Sequence, residues 1–459
     1  MVFFACLFVF FAVASGDDLF FDQRLDHFDS EYNATFRQRY FEYTGYCDRT
    51  LGFGGQSPAA CPIFLYICGE ATCPGIPNDW IQELADHFNA IIVTPEHRYY
   101  GQSSPYQNLT YPNLSYLSSR QAINDLAVFR NFYQGIHNSK HGLPTTSDNQ
   151  WITFGVSYSG GLSSWFRLKF PHLTRGSVSS SGVAEAILAY TAFDEQVATS
   201  VGEECASILR ETTQSIEMSL KVDSDKTKAL FGASGMIDGD FMYLIADAAA
   251  TSVQYGYQDN VCQALIRGKA TGVNLTNAMA DYCHSFWYKT FGIDPLSYSQ
   301  EKMKLLVPGE YTGARQWWFQ KCTEMAFFQV APARNSIRSE IVNLQYHRDL
   351  CSNVFSKGLW PDVNATNLYY GGKDIAGTNI FYSRASQDPW QHVSKSVATP
   401  SEPTQLTTCH NCAHGVDMRG CPQHPPQSRG NASLCADPSA VEATRMRIVS
   451  NIATWLSVK

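Results

Sequence analysis

The sequence predicts an α/β protein: a parallel sheet covered by helices on both faces, with a helical unit inserted into it. Three observations carry this. Short apolar runs alternate with helical stretches through the first 183 residues, a helix-rich stretch with few β-branched runs follows, and strand-like sequence returns after residue 350.

The chain has 459 residues and opens MVFFACLFVFFAVASG, an apolar run ending in small residues before Asp17 and Asp18. Residues 1–16 resemble a secretory signal peptide; their apolar core is too short to span a bilayer, and no later stretch is long enough to do so. Phe21–Tyr43 reads as an opening segment with an edge strand. Pro62–Cys68 (PIFLYIC), Ala90–Pro95, Trp151–Phe154 and Ser177–Ser180 suit buried strands, with helices over Arg120–Tyr133 and Gly160–Phe170 between them. From 184 to 349, Ser200–Leu220 and Asp240–Ser252 read as helices, with Asp240 as an N-cap. Asn367–Tyr370 and Thr378–Ser383 return to strand character. Over Pro438–Leu456, the residues Ile448, Ile452, Trp455 and Leu456 fall at helical spacing and predict a stripe docked on the sheet. The expected division is therefore 17–183 with 350–459 as the sheet domain, and 184–349 as a helical cap.

Composition narrows the function. A net charge of -8, from 34 basic and 42 acidic residues with no long basic run, argues against a nucleic-acid partner. Six N-x-S/T sequons, at Asn33, Asn108, Asn113, Asn274, Asn364 and Asn431, fit a glycosylated protein of the secretory route. Of 14 cysteines, Cys6 lies in the leader; the rest fall in an oxidising compartment, where most pair and an odd count leaves one over. Cys409 and Cys412, with His410 and His414 beside them, invite a zinc reading. No second C-x-x-C or H-x-x-x-H supplies further ligands, so a disulfide is the expected pairing chemistry and no metal is assigned.

Trp151–Leu173 carries the chemistry. It reads WITFGVSYSGGLSSWFRLKFPHL, a strand that breaks at a glycine-flanked serine and opens a helix, the pattern of a nucleophile elbow. Ser157 is the candidate nucleophile, although Ser159 stands where G-x-S-x-G has its second glycine. A serine needs a base, and the base needs an acid to fix its tautomer. In α/β-hydrolases these follow in the order Ser, Asp or Glu, His. Asp388, after a late strand and before Pro389, fits the acid, and His414, in a Cys-rich and Gly-bracketed loop, fits the base. His97 precedes the serine and reads as structural, and His392, only four residues past Asp388, would need an awkward turn to reach Ser157. Such chemistry calls for no metal or organic cofactor.

GVSYSGGLSSWFRLKFPH, PEHRYYGQSSP, LSSRQAINDLAVF, RQWWFQKCTEMAFFQ, SQDPWQHV and CAHGVDM occur in the order of the S28 serine carboxypeptidase family, which the opening FDQRLDHFD also resembles. The resemblance implies an α/β-hydrolase fold with a cap and a serine exopeptidase acting on short peptides, with Ser157, His414 and Asp388 as triad. It implies an oxyanion hole from the Tyr158 amide and an amide at Gly69 or Glu70. It also implies a substrate pocket walled by Trp390. Gly161, where prolyl carboxypeptidase carries methionine, implies a wider pocket and leaves proline at P1 open. Arg384 and Ala385 replace the family's usual Asn-Gly. Glu324 is a candidate for holding a substrate amine, with bonding to neighbouring backbone as its alternative. A catalytically silent binding module and an esterase or lipase are the competing readings. Cleavage polarity, dimerisation and lysosomal against extracellular residence are left open.

Overall fold

A computed structural model describes residues 18–51, 57–307, 313–420 and 438–457. The leader and the sequon at Asn431 lie outside these. The strands are β1 (Leu19–Arg24), β2 (Thr35–Tyr43), β3 (Ile63–Tyr66), β4 (Ile91–Pro95), β5 (Trp151–Val156), β6 (Gly176–Ser180), β7 (Ile187–Ala189), β8 (Ala326–Phe328), β9 (Ile380–Ala385) and β10 (Thr404–Thr407). Eight of them form one sheet in the order β1-β2-β4-β3-β5-β6-β9-β10, and β7 pairs with β8 apart from it. β1 and β2 are antiparallel to their neighbours, and from β4 to β10 the sheet is parallel. This is the α/β-hydrolase fold, and its crevice lies beyond the carboxyl ends of the parallel strands.

The unbroken apolar runs follow from burial on both faces. Alternate residues serve opposite layers, because side chains along a strand alternate. Phe64, Ile92, Ile152 and Phe154 pack against Ile81 and Leu84 of the helix Ile81–Phe88 and Ile448, Ile452 and Trp455 of the helix Pro438–Ser457. The terminal helix thus docks through the stripe read from its sequence. Ile63, Leu65, Ile91 and Val93 face the other way, onto the helices Ser119–Lys140 and Tyr158–Lys169. The same apolar cluster continues into Phe241 and Leu244 of the helix Asp238–Gln254, so the helical region between β6 and β9 shares its core with the sheet.

Two local expectations are corrected and one is extended. Asn367–Tyr370 belongs to the helix Val363–Tyr370, because Asp362 upstream accepts the Ala365 amide and caps it. Asp240 lies inside the helix Asp238–Gln254, and its buried carboxylate accepts from the Gln300 amide and Nε2 and from Tyr346 Oη. Ser200–Leu220 is part of the longer helix Thr191–Val222, broken by Gly202 at φ 76°. β10 had no clear signal, being four residues with one aliphatic side chain.

Disulfides join Cys47–Cys61, Cys68–Cys73, Cys205–Cys262, Cys322–Cys351 and Cys409–Cys412, and Cys283 is a buried free thiol. They fit folding in an oxidising compartment. Among the described residues, no helix is long and apolar enough to cross a membrane. Asn33, Asn108, Asn274 and Asn364 are exposed, and Asn113 is half-buried.

The amino-terminal hairpin is held by a buried ion cluster. Asp125 accepts Arg98 Nε and Nη2, both at 2.6 Å, and lies 2.7 Å from His27 Nε2. Burial works to raise the Asp125 carboxyl, but Arg98 and His27 outweigh it and hold the group below its ordinary range. Replacing Asp125 by Ala strands the Arg98 charge, which is fully buried. The expected loss is about 3–5 kcal/mol of stability, checked by denaturant unfolding.

Candidate active site

β5 delivers Ser157 on a sharp turn, with φ 65° and ψ -129°, and the helix Tyr158–Lys169 begins at the next residue. A non-glycine residue held there costs about 1–3 kcal/mol, so its surroundings must impose it. A Cβ on Gly155 would lie 2.0 Å from the Ser159 carbonyl oxygen, so only glycine lets the helix start so close to the strand. Ser159 Oγ donates to the Val156 carbonyl at 2.8 Å and accepts from the Val156 amide at 3.1 Å. The departure from G-x-S-x-G is therefore a brace: the second serine ties the elbow shut. The Ser157 amide donates to the Ser180 carbonyl on β6 at 3.0 Å.

The candidate acid and base, Asp388 and His414, come from two loops at the same end of the sheet. After β9 the Asp388 amide donates to the Ala385 carbonyl, so the turn forms with Arg384 and Ala385 in place. One Asp388 oxygen accepts the Trp390 amide at 2.8 Å, opening the short helical turn Pro389–Val393. His414 Nδ1 stands 2.9 and 3.0 Å from the two Asp388 oxygens, with both side chains buried. Beside a carboxylate, Nδ1 carries the proton and Nε2 is left with its lone pair. His414 Nε2 is buried without a hydrogen-bond partner. The adjoining Gly415 has φ 72° and abuts the elbow: a Cβ there would lie 2.6 Å from Val156 Cγ1, and its amide donates to Ser181 Oγ at 2.8 Å. Asp417 accepts the Ser180 and Ser383 hydroxyls, pinning this loop to β6 and β9. Thus the structure pairs Asp388 with His414 and seats the His414 loop against Val156, at the end of the strand that precedes Ser157. It makes no hydrogen bond between Ser157 Oγ and His414 Nε2, a contact that often tightens only when substrate is bound.

A cavity of about 840 Å³ opens over the elbow, lined among others by Gly69, Glu70, Ser157, Tyr158, Gln254 and Trp390. The Cys68–Cys73 disulfide closes the loop after β3, and buried Glu96 accepts the Cys73 amide at 3.0 Å while paired with Arg39. Gly69 is brought against Ser159, a Cβ there lying 3.6 Å from Ser159 Cβ. The backbone at Gly69 therefore approaches the first turn of the elbow helix, whose opening amides have no partner within the helix. Tyr158 Oη is fixed by His97 Nε2 and Gln320 Nε2. Burial raises the Glu70 carboxyl, opposed by the fields of Arg419 and His414.

Of the expected pocket residues, Trp390 lines the cavity, with its indole among Tyr190, Phe193 and Phe327. Gly161 does not line it. A Cβ there would lie 2.5 Å from the Val183 carbonyl oxygen, so backbone already fills that side and the missing side chain widens nothing. Glu324 also lies elsewhere: its carboxylate accepts the Ser119 amide at 2.9 Å and Ser119 Oγ at 3.0 Å, at the start of the helix Ser119–Lys140. Its backbone-satisfying alternative is the observed one. His97 is buried, bonded to the Arg98 carbonyl and Tyr158, and burial lowers it to about 4. His392 bonds Gln196. The Cys409–Cys412 disulfide consumes both thiols of the zinc reading, and His410 pairs with Asp259. Sequence reasoning missed Gln254 and Arg419, both on the cavity wall, because single polar residues at helix ends carry no pattern.

Residues 23–429 match the family model for serine carboxypeptidase S28. The chain belongs to that family. It is 44% identical to "Probable serine protease EDA2" of Arabidopsis thaliana, over 96% of this chain and 89% of the relative. It is 28% identical to the thymus-specific serine protease of Mus musculus, over 95% and 86%. To the lysosomal Pro-X carboxypeptidase of Homo sapiens it is 25% identical, over 95% and 88%. The chain is a serine-type peptidase.

Two outcomes follow from these positions. Gly161→Met meets backbone rather than open pocket, so it lowers the melting temperature or abolishes soluble expression instead of sharpening substrate choice; a stable variant with altered specificity contradicts this. Burial drives the Glu324 carboxyl from its ordinary 4.5 up to about 7, against the bonds from Ser119. Between those values the folded chain holds a proton that the unfolded chain releases, so this group's contribution falls as pH rises through that window. The stability of wild type relative to Glu324→Gln therefore declines from about pH 5 to about pH 7.5, measured by denaturant unfolding at each pH.

Proposed function

We propose that this serine-type peptidase is a secreted or lysosomal exopeptidase that cleaves short peptides through an acyl-enzyme. Ser157 is the nucleophile, His414 the general base and Asp388 the acid that orients it. The carrying observation is the buried His414–Asp388 pair, with an unpartnered Nε2, on a loop seated against the strained turn of Ser157.

The chemistry follows from the order of proton movements. His414 Nε2 takes the Ser157 hydroxyl proton as the oxygen attacks the peptide carbonyl, and Asp388 stabilises the imidazolium without itself taking a proton. The tetrahedral oxyanion rests on the Tyr158 amide and an amide at Gly69 or Glu70, where fixed donors are worth most because they need no reorganisation. His414 then gives its proton to the leaving amine, and water, activated by the same base, frees the acyl fragment. The helical region over the crevice limits access and favours chain ends. Trp390 offers a flat aromatic wall suited to a proline ring, in keeping with the Pro-X in the name of the human relative. That relative's name, with the disulfides, also supports the secretory-route reading.

A silent binding module is favoured by one observation, the absence of a Ser157–His414 hydrogen bond. An esterase on this fold would use the same machinery, and the competition is settled by substrates. A peptide-library digest, read by product mass, should give fragments shortened from one end in wild type and none in Ser157→Ala. Asp388→Asn should fold normally and lose about 10⁴-fold in kcat, through the wrong histidine tautomer. Turnover of short-chain esters alone, or undiminished cleavage by Ser157→Ala, defeats the proposal.

A further inference from the structure

Gln254 ends the helix Asp238–Gln254, which belongs to the region inserted between β6 and β9. A helix leaves its last four carbonyls without partners inside the helix, so each must find one elsewhere. The Thr251 carbonyl accepts the Tyr255 amide, the Ser252 carbonyl accepts the Tyr257 amide and the Val253 carbonyl accepts the Gly256 amide. The Gln254 carbonyl accepts the amide of His414, at 2.9 Å. Its side-chain Oε1 accepts Trp390 Nε1 at 3.0 Å. An indole N–H only donates, so this bond fixes which way the Gln254 amide is turned. One residue of the helical region thus holds both the candidate base and the aromatic wall of the cavity, which it also lines.

We propose that Gln254 is a positioning residue for substrate binding, and that its side chain sets the plane of Trp390 across the cavity. The proposal deepens the peptidase reading and rests on it for the identity of the substrate. Trp390 is held by ring contacts with Tyr190, Phe193 and Phe327, which restrict where the indole lies. Such contacts tolerate tilts, whereas a hydrogen bond weakens steeply off line, so the Gln254 bond supplies the directional restraint. A peptide that stacks on the indole then gains from a wall already oriented, and freeing the ring costs affinity rather than chemistry. The link also makes the position of the helix end felt at both His414 and Trp390, since the two bonds leave the same residue.

The test reads binding separately from turnover. Dissociation constants for Xaa-Pro-Phe tripeptides are measured in the Ser157→Ala background, in which the candidate nucleophile is absent. Adding Gln254→Met, which keeps the backbone carbonyl and roughly the volume but removes the acceptor, should weaken binding about fivefold to tenfold, the scale of one lost hydrogen bond. Adding Gln254→Glu instead retains an acceptor for the indole and should restore binding. In a Trp390→Phe background, which has no indole N–H, Gln254→Met should add no further loss. Unchanged affinity in Gln254→Met overturns the proposal. So does a loss that persists undiminished beside Trp390→Phe, or one that Gln254→Glu fails to rescue while the melting temperature falls. Turnover of the same tripeptides by wild type, run in parallel, reports on the peptidase reading alone.

Discussion

The reversed backbone at Ser157 is the constraint on which the site depends. A positive φ on serine is unfavourable by itself, and β5 and the helix after it can meet so abruptly only because Gly155 has no side chain to strike Ser159. The bonds that hold this turn are backbone bonds to β6 and a serine hydroxyl folded back onto Val156. The strain is thus borne by the register of the parallel sheet, and Ser157 is presented on the wall of the cavity.

Around that turn, loops that would otherwise be mobile are tied at several points each. The Gly69–Glu70 loop is closed by a disulfide and held by Glu96, a buried acid whose own charge is met by Arg39. The His414 loop is closed by a second disulfide and pinned through Asp417 to two strands and through Gly415 to a third. Ordering loop residues costs roughly 1–2 kcal/mol apiece in backbone entropy, so a site assembled from three loops needs such anchors to exist before substrate arrives. The buried carboxylates make opposite uses of burial. Asp125 stays ionised because Arg98 and His27 face it, whereas Glu324 and Asp79 have their carboxyls driven up to about 7 and about 6.

The sequence made the chemistry legible where function demands a residue type at a fixed place in the chain. Ser157, Asp388 and His414 are candidates from an elbow pattern and chain order; the structure pairs the last two, and Gly415 beside His414 abuts Val156 next to the first. Strands buried on both faces were equally plain, as was the stripe of the terminal helix. What failed were inferences about which way a position faces. Gly161 read as a gap in the pocket wall, but it is a contact with the Val183 backbone; Glu324 read as facing a substrate or the backbone, and only packing chose the backbone. Asn367–Tyr370 is too short for periodicity to tell strand from helix, and the deciding cap, Asp362, lies outside it. Ser159 and Gln254 act through single hydrogen bonds to residues brought near by the fold, which leave no mark on a linear pattern.

In the mechanism proposed above, the buried imidazole of His414 activates the Ser157 hydroxyl. The direct measurement is reaction of the folded protein with a fluorophosphonate, followed by peptide mapping. One adduct is expected, on Ser157, formed by the folded chain and lost when the chain is unfolded before labelling. No adduct on the folded protein, or an adduct on a different serine, contradicts it.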